Sequence, residues 1–205
     1  MEGFASLLEE ALHKHQSDFK RKVESDASDL SPEDQQDLME YAIDELDKFT
    51  ETFPAILRKS LFLATYAMLE HSLLGLANIL QDHLKLSLSP MDLRGDGIEV
   101  VKDYFKKVGR LPFPDQGEEW QDLVALRTIR NAIAHSDGRV SKAKQSKCDK
   151  LRRDWGTELD MHESDDKEFL EVTLGENVIG RLIQTCRTFL HEVIAVMPTE
   201  PDDAD

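Results

Sequence analysis

The sequence predicts an all-α fold, one helical domain carrying a long N-terminal helical extension. Three observations lead there. Apolar residues recur at spacings of three and four along most of the chain. Caps and breakers punctuate those runs where helices start and stop. Period-two alternation occurs in only one short stretch, enough for a small β-hairpin.

The elements follow in order. Phe4, Leu7, Leu8, Ala11, Leu12, Phe19 and Val23 form one apolar stripe with acidic and basic residues opposite, so a first amphipathic helix is expected. Ser31-Pro32-Glu33-Asp34 is a strong helix start: a hydroxyl cap, proline at the first position, then acids facing the positive helix end. Leu38, Ala42, Ile43, Leu46 and Phe49 continue that second helix. Pro54 is expected to open a third, running to about Leu84, apolar on nearly every side and so placed at the centre of the core. Residues 87–97, with Pro90, Gly95 and Gly97, read as a loop. Ile98, Val101, Tyr104, Phe105 and Val108 make a short helix, and residues 109–117 break the chain again. The next helix starts near Glu118 and ends near Gly138.

A polar, charged stretch covers residues 139–154. Leu159 and Met161, then Leu170, Val172 and Leu174, supply the hairpin. A last helix begins near Glu176 and carries Val178, Ile179, Leu182, Ile183, Cys186, Phe189, Leu190, Val193 and Ile194. The natural divisions are an extension over 1–52, a helical domain over 53–197 and an acidic tail over 198–205.

Composition narrows the function classes. The 205 residues suffice for one domain with a sizeable core. Forty-one acids against 25 basic residues give a net charge of −16, which argues against a protein that coats nucleic acid but leaves room for a small basic site. Two cysteines, Cys148 and Cys186, make neither a disulfide scaffold nor a CxxC metal site. The first fifteen residues carry Glu2, Glu9 and Glu10 where a signal peptide would carry lysines. The richest apolar run, 60–80, is interrupted by Glu70 and His71 and reads as a core helix rather than a membrane span. A reducing, cytoplasmic setting without membrane attachment is therefore expected. No metal or other cofactor is expected either: His13 and His15 are two apart on a helix, and His191-Glu192 lacks a second histidine.

One segment carries chemistry. With Arg127 set to 0° on a helical wheel, Arg130 falls at about 300°, Asn131 at about 40° and His135 at about 80°. Ala125, Leu126, Ile129, Ala132 and Ile133 occupy the opposite arc. One side can bury while the other displays two guanidiniums, an amide and an imidazole. Ser136-Asp137-Gly138 then stops the helix, with Gly138 suited to a left-handed cap. RNA cleavage without a metal requires removal of the 2′-hydroxyl proton, stabilisation of extra charge on the phosphate, and a proton for the leaving oxygen. Imidazole suits the proton transfers and guanidinium suits the phosphate. Asn131 could orient either group. One histidine cannot supply both acid and base, but two copies brought together by a symmetric dimer can. Directly after the motif, residues 139–153 hold seven basic side chains and one acid. Arg139, Lys142 and Lys144, together with Arg127, are the candidate RNA-guiding cations.

Arg130-Asn131-Ala132-Ile133-Ala134-His135 resembles the Arg-polar-x-x-x-His signature of HEPN domains. Arg130 is the only arginine in the chain with a histidine five residues on. The long apolar helix containing Met68-Leu69-Glu70 before the motif, and the hydrophobic C-terminal helix after it, extend the resemblance over roughly residues 54–196. It implies an up-and-down helical bundle that dimerises through its motif faces. It also implies a metal-independent endoribonuclease, a toxin or defence effector, with Arg130 and His135 essential and Asn131 assisting. Glu70 would match an acidic residue that supports the motif. RNA, a tRNA loop among the candidates, would be the substrate, and an antitoxin or defence-system protein the regulator. Two plainer readings stand beside it. A catalytically silent module of this type could dimerise, or bind a partner or nucleotide. The cations could also simply answer the exposed carbonyls of a helix end.

Overall fold

A computed structural model describes residues 2–28 and 30–198. The expected acidic tail, beyond Pro198, and the side chain of Phe4 lie outside the described residues. Helix dominates: α1 (Glu2–Ala27), α2 (Pro32–Asp47), α3 (Phe53–Leu84), α4 (Gly97–Asp103), α5 (Glu118–Ser136), α6 (Asp149–Trp155) and α7 (Val178–Ala195). Three strands accompany them, β1 (Arg139–Ser141), β2 (Leu159–Glu163) and β3 (Phe169–Leu174).

Ser31 caps α2 as its sequence requires, accepting a hydrogen bond from the Asp34 amide at 3.3 Å with Pro32 at the first turn. Pro54 does not open a separate helix. A π-helical turn, Lys48–Thr52, carries α2 straight into α3, so the division at residue 52 falls inside one helical run. The wider turn explains how. Pro54 has no N–H to give the carbonyl four residues back, and a π turn re-registers the hydrogen bonds around that gap, with the Phe53 amide donating to Lys48 O. The rings of His15, Phe19 and Phe53 gather on Phe49, with centroids 4.7, 6.2 and 5.4 Å away. Arg58 on α3 donates to both carboxylate oxygens of Glu9 on α1, at 2.7 and 2.9 Å. The extension is thereby pinned to the first turns of α3. Leu7 and Ile43, expected on apolar stripes, are exposed.

α3 buries Phe62, Tyr66, Leu69, Leu73, Ala77 and Leu80 against α4, α5 and α7. The expectation that it is enclosed on nearly every side does not hold: Ile56, Met68 and Ile79 are each more than half exposed. By length and composition part of the run Pro32–Leu84 is apolar enough to cross a membrane, and 33% of that stretch is buried within the protein. Trp120 packs as expected, in a cluster of edge-on and tilted rings with Phe105, Phe113 and Phe189.

The charged stretch after α5 is not a loop. Its few apolar residues, Val140, Cys148, Leu151 and Trp155, are all at most 2% exposed, and they fold it into β1, a 3₁₀ turn (Lys142–Lys147) and α6. The expected hairpin therefore becomes a three-stranded antiparallel sheet, order β1-β3-β2, with β3 central. Leu170, Val172 and Leu174 of β3 face inward while Phe169, Glu171 and Thr173 take the other face.

Candidate active site

The buried arc of α5 fixes its rotation. Leu123, Leu126, Ile129 and Ile133 lie in the core, which leaves Arg127, Arg130 and Asn131 half-buried and His135 exposed on the other side. That face forms one wall of a cleft of about 690 Å³. Arg139 and Ser141 of β1, Lys144 and Lys147 of the 3₁₀ turn, and Phe169 of β3 line the second wall, with Asp96 and Glu99 at the far rim.

Arg130 is held firmly. Its Nη2 lies 2.6 and 2.5 Å from the two carboxylate oxygens of Glu70, and its Nη1 donates to Asn131 Oδ1 at 2.8 Å. The guanidinium lies 5.4 Å from the centroid of the Tyr66 ring, whose hydroxyl donates to Leu123 O at 3.0 Å. Burial, helped by the Glu70 charge, pushes the Tyr66 phenol far above its ordinary range, so it is a fixed neutral floor. Because Oδ1 of Asn131 is taken by Arg130, the amide nitrogen is the group left to donate elsewhere. Gly97 makes room for this pair. Its φ is +58°, and a Cβ there would sit 2.5 Å from Glu70 Oε1.

Arg127 is also paired, with Asp96 at 2.5 Å. That guanidinium, mainly through its hydrogen bond, holds the Asp96 carboxyl below the usual carboxylate range. The Gly95-Asp96-Gly97 turn thus delivers a carboxylate to one arginine and a gap for the other. α5 ends one residue earlier than its glycine suggests. Asp137 takes the left-handed cap at φ 51°, Gly138 follows at φ 87°, and Lys59 Nζ holds the Asp137 carbonyl at 3.1 Å and its carboxylate at 3.0 Å.

Six of the seven expected site residues meet in the cleft: Arg127, Arg130, Asn131, His135, Arg139 and Lys144. Lys142 does not; its amine pairs with Glu163 across the sheet edge at 2.5 Å. The 3₁₀ turn explains the split, because side chains three apart eclipse. Lys144 and Lys147 therefore share a side that Lys142 leaves. Lys150 is likewise tied to Asp122 and Asp154, and Arg152 to Asp160. Among the described residues, Arg139, Lys144 and Lys147 have no carboxylate within ion-pair range and line the same cleft as His135, whereas Arg153, also without an ion pair, lies away from it beside Arg152 and Asp160. Sequence reasoning missed Asp96, Gly97 and Phe169 as parts of the site, and it grouped Lys147 with both Lys142 and Lys144 in the basic run. The three-residue spacing of Lys144 and Lys147 could have set those two apart from Lys142.

His13 lies 3.6 Å from Glu176, and His15 packs edge-on against Phe49. Among the described residues no three His, Cys, Asp or Glu side chains gather closely enough to hold a metal ion. No family model, curated protein or solved structure matches this chain.

Proposed function

We propose that this protein is a HEPN-type endoribonuclease that needs no metal, cutting RNA in the α5 cleft. The observation that carries the reading is the cleft itself: an exposed imidazole at a helix end, flanked by three cations without acidic partners and by an amide of set orientation. His135 transfers the proton. Arg139, Lys144 and Lys147 hold the phosphates on either side of the cut. Asn131 donates from Nδ2 to the phosphate or the imidazole. Arg130 stands at the wall of the cleft, two of its nitrogens engaged, and offers its field to the developing charge while keeping Asn131 in place. A homodimer with its motif faces together would supply the second imidazole that an acid–base pair requires. A toxin or defence role, held in check by an antitoxin or defence-system partner in the cytoplasm, fits such an activity.

The test is incubation with RNA in EDTA. Cleavage should persist, and His135→Ala, at an exposed position, should reduce it by about 100-fold or more without changing the melting temperature. Arg130→Lys should lose activity as well, since a point charge cannot bridge Glu70 and Asn131. Cleavage that is unchanged in His135→Ala would refute the reading, as would an active protein that sediments as a single chain. A second reading has one observation in its favour. Arg127 and Arg130 are already neutralised by Asp96 and Glu70, as a silent module that binds nucleic acid or a partner without turnover would allow. RNA binding without cleavage of any RNA would select it.

A further inference from the structure

Phe169 is out of place by the logic of its strand. Along β3 the residues 170, 172 and 174 are apolar and buried, while 171 and 173, on the opposite face with Phe169, are Glu and Thr. A large aromatic on a polar strand face, only half-buried, needs another reason to be there. Its ring lines the cleft, and the Arg139 guanidinium lies over it, 5.8 Å from the centroid. Arg139 makes no ion pair among the described residues; its one hydrogen bond runs from Nε to Ser136 O at 3.4 Å.

The backbone under the ring is well tied. Ser141 pairs with Phe169 in the β1–β3 register, the Phe169 amide donates to Asp166 O at 3.0 Å, and the Ser164 amide donates to Phe169 O at 3.4 Å. The flat, rigid surface is therefore built before any ligand arrives, in the cleft that two unpaired lysines and the imidazole also line.

We infer that Phe169, with Arg139 stacked on it, is a platform for an unpaired base and is the residue through which this cleft takes single-stranded RNA over duplex. The inference rests on the proposed function and specifies its substrate. A duplex keeps its bases stacked on one another and offers only backbone to such a ring, whereas an unpaired nucleotide can lay its base on the aromatic face or on the guanidinium plane. Lys144 and Lys147 then hold the neighbouring phosphates, and the position of the base sets which ribose lies at His135. Phe169 is a positioning residue and takes no part in proton transfer.

Binding and cleavage separate the two claims. A fluorescent single-stranded oligonucleotide with every 2′-hydroxyl methylated cannot be cut by 2′-oxygen attack, so its anisotropy in EDTA reads affinity alone. Wild-type protein should bind it at least ten-fold more tightly than the matching duplex. Phe169→Ala and Phe169→Leu should both lose about ten-fold in single-strand affinity, the second despite keeping apolar bulk, while Phe169→Trp should retain it and show quenched indole emission on binding. Duplex affinity should be the same in all four proteins. Unchanged single-strand affinity in both Phe169→Ala and Phe169→Leu would overturn the platform, as would equal affinity for duplex, even if RNA is cleaved through His135. A platform that behaves as described in a protein that cleaves no RNA would sink the nuclease reading alone.

Discussion

The Glu70–Arg130 pair joins α3 to the motif helix, and a double-mutant cycle measures what it is worth. The two side chains are 21% and 25% exposed. At centre-to-centre separations of about 4 Å and an effective dielectric of about 20, opposite unit charges attract by about 4 kcal/mol. Screening by solvent at these partly exposed side chains lowers that to a coupling of about 2 kcal/mol, within the range that double-mutant cycles give for paired residues in contact. Glu70→Ala strands a guanidinium above Tyr66, and Arg130→Ala strands a carboxylate under Gly97. Each substitution should therefore cost more in the wild-type background than in the variant that already lacks its partner. The melting temperature of each single variant should fall by about 4–8 °C for a chain of this size. Urea unfolding followed by circular dichroism, run on all four proteins, gives the coupling directly. A coupling below about 0.5 kcal/mol would show that the two groups are solvated separately, and the argument that Glu70 fixes the motif would fail.

Three further outcomes are expected. Lys144→Ala with Lys147→Ala should weaken RNA binding and shallow its slope against log salt by about 1.4, at roughly 0.7 per phosphate contact on single strands, while Lys142→Ala should leave both unchanged; filter binding between 50 and 200 mM salt distinguishes them. Burial, with Glu119 close by, pushes the Glu192 carboxyl above its ordinary value of 4.5, so the fold favours its protonated form and is penalised as pH rises through that range. Glu192→Gln should accordingly gain on the wild type as pH rises through and above the ordinary carboxylate range, and denaturant melts showing a gap independent of pH would contradict this. Burial raises the Cys148 thiol to about 11 and the Cys186 thiol to about 12, so neither should react with a thiol reagent at pH 8 in the folded protein, and both should react in denaturant.

Much of the helical frame was legible because its signals are local. Ser31-Pro32 fixed a helix start, and the wheel of α5 correctly put Ile129 and Ile133 inward with Arg130 and Asn131 outward. What sequence could not show are the consequences of distant residues meeting. Glu70 and Arg130 are 60 positions apart, and only the packing of α3 on α5 brings them together. Asp96 reads as a turn residue until the turn is seen beside Arg127. The stretch after α5 gives no sign of regular structure in its sequence because its charges outnumber its apolar residues, yet Val140, Cys148, Leu151 and Trp155 are enough to anchor a strand, a 3₁₀ turn and a helix. Pro54 misled for a related reason: a missing amide breaks an α-helical ladder, but a π turn absorbs the loss.

The same packing changes what the basic run means. Read along the chain, residues 139–153 form a positive patch on a protein of net charge −16. In the fold, Lys142, Lys150 and Arg152 spend their charge on local carboxylates, Arg153 lies away from the cleft, and Arg139, Lys144 and Lys147 face it without such partners. Three cations cannot hold a long polyanion against the repulsion of so acidic a body. They suffice for two or three phosphates of a short segment, provided some uncharged contact adds affinity where charge runs out. A stacking surface is such a contact, and it works only on a base free of its partner. On the proposed reading, the sparse charge and the misplaced aromatic thus make the same demand on the ligand, a few unpaired nucleotides presented by an RNA whose remaining length stays off the protein.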